Sequence, residues 1–303
     1  MVNRGYLPWL LLLAGLWGSS YFFIKVAVDD VEPSVMMSAR CLLAGVLLLV
    51  YLVVTRGAAA ATSQLRAAGR PTFVFGVFNA ALPFWLIAWG EKHIDSSVAG
   101  IAQATVPIFA FVVALRFLPH EHVAPIRWAG VALGLVGVGV LTGVDLPGGS
   151  WAVAGTLAVV LSSLSYAGAG TYAQIRLRDV QGPVLATGGM LIGGLLLLPF
   201  ALLQLPDEVP GWEAMLSVAA LAIAGTTIAQ LVYFHMLPRY GNPRISLVAY
   251  IMPAFAIAYG ALFLSEPITT GMMIGLALIL VGVALGSGLV LALRRPKTVE
   301  EIL

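Results

Sequence analysis

Ten stretches of this chain are each long and apolar enough to cross a lipid bilayer, and little sequence is left between them. A spanning helix needs about 20 mostly apolar residues. Leu7–Val28, Ser34–Val54, Thr72–Gly90, Ser96–Phe117, Ile126–Gly143, Trp151–Ile175, Val184–Leu203, Trp212–Leu237, Ile245–Leu264 and Thr269–Leu291 meet that need. Only 10% of the residues are charged, against about 25% in a soluble domain. Mean hydropathy is +0.98. A water-soluble fold of 303 residues has no core large enough to hide this much apolar side chain. The first stretch is too long for a signal-peptide core and nine more follow, so it is expected to be retained. The Ala-rich run Gly57–Ala61 reads as a loop. One cysteine, Cys41, excludes an intramolecular disulfide and a thiolate metal cluster. No phosphate-binding Gly loop, H-E-x-x-H or paired CxxC is present, so enzyme chemistry has no visible foothold and no cofactor or metal is expected.

The chain repeats itself about 146 residues apart. Around Trp89–Val140 an apolar helix is broken by Pro107, followed by Glu121 and a Gly-rich helix carrying Gly130 and Gly137. Near the C-terminus the same order returns as Pro253, Glu266, Gly275 and Gly282. This divides the chain into residues 1–145 and 146–303, five apolar stretches each.

Basic residues set an orientation. With the N-terminus in the cytoplasm, 13 of the 16 Lys and Arg fall on the cytoplasmic side. Lys92 falls outside, with Lys25 and Arg40 just within the outer helix ends, near Asp29, Asp30 and Glu32. Both termini are then cytoplasmic. Five helices per half is an odd number, so the halves take opposite orientations: an all-α membrane protein of ten transmembrane helices in two inverted five-helix repeats. That build belongs to many secondary transporters, which bind substrate near the midplane.

The motifs L-W-G-S-S-Y-F-F-I-K (Leu16–Lys25), S-A-R-C-L-L-A (Ser38–Ala44), P-I-F-A-F (Pro107–Phe111), S-S-L-S-Y-A (Ser162–Ala167), P-A-F-A-I (Pro253–Ile257) and L-S-E-P-I-T (Leu264–Thr269) cover both halves. Together they resemble the EamA-type exporters of the drug/metabolite transporter superfamily. The first half departs from the pattern, with Glu121-His122 where the second has Glu266-Pro267. The resemblance implies a multi-pass protein of a bacterial-type inner membrane that moves small metabolites, often amino acids, outward.

Candidate site residues follow from cost in hydrocarbon. Asn79, Gln103 and Gln230 are the deepest amides, and a buried amide needs a partner. They serve either as interhelical ties or to grip a zwitterion. Trp17, Phe78, Phe84, Trp85, Tyr166, Tyr233 and Tyr250 lie at similar depth, as core or as the wall of a cavity for aromatic or large apolar groups. Pro107 and Pro253 are expected to kink their helices beside the cavity. Lys25 and Arg40 are expected to snorkel and pair with the nearby acids, or to form an outer gate. Glu121 and Glu266 are expected to favour the N-termini of their own helices through the dipole. His93 and His235 are candidates for titration near neutral pH. No acid lies mid-span, which disfavours a dedicated proton antiporter. The expectation is a non-enzymatic exporter of amino acids, large neutral or aromatic ones favoured. Its partners are a small-molecule substrate and the bilayer, not nucleic acid, and a monomer is compatible. Broad efflux of amphipathic drugs is the alternative within transport, and an intramembrane enzyme the one outside it.

Overall fold

The computed structural model is all-helical and describes residues 5–117, 124–143 and 149–286. Its helices run α1 (Tyr6–Ala27), α2 (Pro33–Arg56), α3 (Ala58–Glu91), α4 (Ser96–Phe117), α5 (Pro125–Gly143), α6 (Gly149–Arg176), α7 (Gly182–Leu203), α8 (Trp212–Tyr240), α9 (Val248–Phe263) and α10 (Thr270–Gly286). Seven are long and apolar enough to cross a membrane. The apolar helices of α5, α9 and α10 are shorter. A single helical turn, Asn242–Ile245, precedes α9. The end expected for the tenth stretch, residues 287–291, lies outside the described residues.

The Ala-rich run is not a loop. Ala58–Ala61 open a helix that continues to Gly69, where φ 56° and ψ −153° break it. Alanine has the highest helix propensity of any residue. Ala61, Leu65 and Ala68 recur on one face and pack on Leu52 and Val184, while Arg66 and Arg70 stay exposed. This is a short amphipathic helix laid against the bundle. At the other side of the turn, Gly57 at φ 84° ends α2, its N–H bonding the Val53 carbonyl at 2.8 Å. That left-handed position suits glycine.

The strongest helix packing joins the two halves of the chain. α5 packs most extensively on α10 and α2 on α7, and α4 packs on α9 over a smaller contact. The remaining large contacts come in matched pairs: α1 on α9 with α6 on α4, α1 on α8 with α6 on α3, and α2 on α8 with α7 on α3. A two-fold relation that exchanges each helix with the one five places on produces this pattern. The self-paired helices also run antiparallel. On α2 and α7, Ser38 donates to the Gly194 carbonyl at 3.0 Å, Gly45 lies on Leu191, and Leu52 clusters with Val184. On α4 and α9, Ser97 lies by Gly260 and Gly100 on Ala256.

The α5–α10 pair meets backbone to backbone. A Cβ built on Gly130 would stand 2.6 Å from the Gly282 carbonyl oxygen, and one on Gly137 would stand 3.0 Å from that of Gly275. The sequence repeat equates Gly130 with Gly275 and Gly137 with Gly282, so the two contacts are copies of each other. Close approach through small residues is how helices associate where lipid removes the hydrophobic drive. The outer faces are strongly apolar: Val54, Leu203 and Leu262 are 78%, 84% and 75% exposed. Such a surface fits acyl chains rather than water.

Candidate transport site

α3 and α8, partners in the repeat, share a local defect. Each widens by one residue into a π-type turn, at Val77–Ala81 and at Ile223–Ile228, 146 residues further on. In α3 the cause is Pro83, which lacks the N–H an ordinary turn would use. Hydroxyls repair the freed carbonyls. Ser165 donates to the Phe78 carbonyl at 2.7 Å. In α8, Thr226 and Thr227 reach back to the carbonyls of Leu221 and Ala222, both at 2.8 Å. π-bulges concentrate at functional sites.

The α8 bulge aims Thr226 at Arg40. Arg40 does not snorkel to the surface: it is 5% exposed, deep in α2. Its Nε donates to the Thr226 hydroxyl at 3.0 Å, Nη1 reaches the Met37 sulfur at 3.9 Å, and the guanidinium carbon lies 4.0 Å over the Phe84 ring. Cation–π contact and one hydroxyl stabilise the charge in part. The ion pairs among the described residues are Lys92–Glu32 and Arg178–Asp179, so no carboxylate is paired with Arg40 there. Tyr166 stands edge-on to Phe84 with centroids 6.4 Å apart. Tyr21, Tyr166 and Glu91 are within electrostatic reach of the guanidinium, and none of them is bonded to it. α1, α2, α3, α6 and α8 thus converge on one buried cation walled by aromatic rings.

The other expected residues fall around this centre in separate groups. Trp17 and Tyr233 face each other across α1 and α8 at 6.1 Å, both half-buried. Gln230 is half-buried on the same stretch of α8, and Tyr250 is half-buried on α9. Asn79 sits half-buried within the α3 bulge, and its neighbour Phe78 is 43% exposed. Gln103 is buried and accepts from the Ser162 hydroxyl at 2.9 Å, which ties α4 to α6. Trp85 belongs elsewhere, stacked on Trp89 in a chain of rings that continues through His93 to Trp151. α4 is interrupted at Ala104–Thr105, just before Pro107, whereas α9 runs unbroken through Pro253.

One end of the bundle is held by polar ties. Lys25 is not paired with Asp29, Asp30 or Glu32; its ammonium donates to the carbonyls of Glu91 and Ile94 at 2.8 and 2.9 Å, completing the C-terminal end of α3. Glu266 does not serve its own helix. Its carboxylate crosses to α4 and accepts from the Ser96 and Ser97 N–H groups at 2.8 and 3.0 Å, and from the Ser97 hydroxyl. Glu121 and His122 lie outside the described residues. Partial burial lowers the His93 pKa, with Lys92 and Lys25 adding to the effect, which favours the neutral ring. Burial and Glu266 raise the Asp95 pKa against the opposing pull of Lys25. Glu266→Ala orphans buried N–H donors, and each costs about 1–3 kcal/mol. A clearly lowered melting temperature is expected in lipid nanodiscs. An unchanged melting temperature would mean that the bridge does not hold α4.

The sequence model of the EamA-like transporter family matches residues 5–143 and again residues 153–288. The chain belongs to that family. It is a multi-pass membrane transporter, built like other EamA-like proteins from two repeats. Its relatives include the "Uncharacterized inner membrane transporter YedA" of Escherichia coli, 27% identical over 83% of this chain and 80% of the relative. An "Uncharacterized transporter" of Archaeoglobus fulgidus is 24% identical, covering 90% of this chain and 95% of its own. The "Uncharacterized transporter YoaV" of Bacillus subtilis is 21% identical over 88% and 91%. A solved crystal structure superposes with a TM-score of 0.66 at 22% identity, covering 96% of this chain and 99% of the other. The chain therefore shares its fold with that structure along nearly its whole length.

Proposed function

We propose that this EamA-like protein exports amino acids and similar zwitterions, large neutral or aromatic ones preferred, across a bacterial inner membrane. The observation that carries the reading is Arg40. A buried guanidinium held by one hydroxyl and a ring face, with no carboxylate paired to it among the described residues, suits the carboxylate of an incoming substrate. Phe84, Tyr166 and Tyr21 around it suit an apolar or aromatic side chain.

The cycle is alternating access. Ten spans place both termini in the cytoplasm, as the Lys/Arg bias requires. Antiparallel packing of helices five places apart supports inverted halves, residues 1–145 and 146–303, that rock about a site near the midplane. Trp17, Asn79, Phe78, Gln230, Tyr233 and Tyr250 line the path, Gln103 braces α4 against α6, the break before Pro107 lets α4 bend, and Lys25 latches the Glu91 end of the bundle.

Cells overexpressing the protein test this directly. Faster release of phenylalanine and resistance to toxic aromatic amino acid analogues are expected, with no gain of resistance to amphipathic cationic drugs. Drug resistance without amino acid release would replace this reading by broad efflux.

A further inference from the structure

The third apolar stretch ends at Gly90, so the sequence alone leaves Glu91 in an exposed loop. Instead it ends α3 fully buried, at 0% exposure. Neither carboxylate oxygen has a hydrogen-bond partner among the described residues. The reason for its burial is local: a Cβ on the preceding Gly90 would stand 2.8 Å from the Gly155 carbonyl oxygen, so α3 and α6 are in backbone contact there.

Lys25 and Arg40 attract Glu91 through space, but neither bonds its carboxylate. Lys25 of α1 bonds the Glu91 and Ile94 main-chain carbonyls, not the carboxylate. Arg40 of α2 bonds Thr226 and covers Phe84. Glu266, between α9 and α10, bonds Ser96 and Ser97 and presents like charge to Glu91. Tyr21 lies within electrostatic reach, and His93 and Asp95 follow in the loop. Burying an ionised carboxylate without hydrogen bonds is far more costly than burying the neutral acid.

We propose that Glu91 is a proton-binding site, occupied when this end of the bundle is closed and emptied when the end opens to water. Closing takes a proton from water onto the carboxylate, and opening returns it. By linkage, acid favours the closed end and alkali the open one. Under the alternating-access reading, on which its role in transport rests, this site ties the cycle to pH.

The test needs no substrate. Cys41 is the one cysteine and is buried, so spin labels can be placed at Asp29→Cys and Ile268→Cys on exposed loops of this end. Pulsed EPR distances in nanodiscs are measured across pH for the full chain. The distance is expected to lengthen as pH rises, and Glu91→Gln is expected to keep the short distance throughout. If that variant does not fold, Glu91→Asp, which keeps an acid, is expected to shift the midpoint of the transition. A pH response unchanged in either variant, or none in the parent, would overturn the proposal. Failure of phenylalanine to move in a transport assay would sink the substrate reading and leave this measurement standing.

Discussion

Replacing Arg40 by alanine is expected to remove phenylalanine export while leaving the protein folded and in the membrane. Truncating one partner of a buried charge pair costs about 2–5 kcal/mol, which is roughly 30-fold or more in apparent affinity. Thr226, Phe84 and the tyrosines remain in place, so the apolar part of the site survives. Arg40→Lys is expected to fail nearly as badly, because an ammonium cannot hold the Thr226 hydroxyl, lie flat on Phe84 and still present a fork to a carboxylate. Thr226→Val, which keeps the shape of the α8 bulge wall, is expected to weaken export by a smaller factor. Initial rates over a range of internal phenylalanine concentrations separate these. Unaltered half-saturation in Arg40→Ala would remove the guanidinium from the site.

The second large effect concerns stability. Gly282→Leu is expected to prevent recovery of folded protein. Its Cβ alone would stand 2.6 Å from the Gly130 carbonyl oxygen and 2.6 Å from the Gly134 nitrogen, both main-chain atoms that cannot step aside. Gly282→Ala already forces α5 and α10 apart, at about 1–3 kcal/mol for overpacking. Gly139→Ala on α5 is the control, since a Cβ there meets nothing within 4 Å. Alanine in place of glycine inside a helix favours the helix by about 0.5–1 kcal/mol. The control is therefore expected to match or exceed the parent in melting temperature, and Gly282→Ala to fall below it. Equal melting temperatures for the two variants would mean that the α5–α10 contact is not the scaffold.

The fold was largely legible in the sequence because lipid allows so few solutions. Unbroken apolar runs specify helices, and the repeat of Gly130 and Gly137 in Gly275 and Gly282 marks the helices that meet on the two-fold. What escaped was amphipathic or local. Ala58–Ala68 carries too many polar residues to resemble a span, yet its period of inward-facing Ala61, Leu65 and Ala68 was there to be read. The π-turns are written only as Pro83 in one half and Gly225-Thr226-Thr227 in the other, signals that do not resemble each other.

The site was harder to read, because burial decides chemistry and a nearly uniform apolar sequence hides which faces are buried. Arg40 is expected from the sequence just within the outer helix ends, and Glu91 follows the third apolar stretch, Thr72–Gly90, into a loop. Arg40 instead lies among α3, α6 and α8, and Glu91 is sealed by the Gly90–Gly155 contact. Glu266 was taken as a helix-dipole residue of α10, and only the packing of α4 on α9 brings Ser96 and Ser97 within its reach. Phe84 and Tyr166 were expected aromatics that fell beside Arg40, whereas Trp85 joined the ring chain through Trp89 to Trp151.

The most direct test of the central claim is efflux of labelled phenylalanine and alanine from preloaded proteoliposomes containing the purified chain, beside Arg40→Ala and empty vesicles. Rapid, saturable loss of phenylalanine, slower loss of alanine, and neither from the Arg40→Ala vesicles is the predicted result. Loss of neither amino acid from vesicles holding the folded parent protein would contradict it.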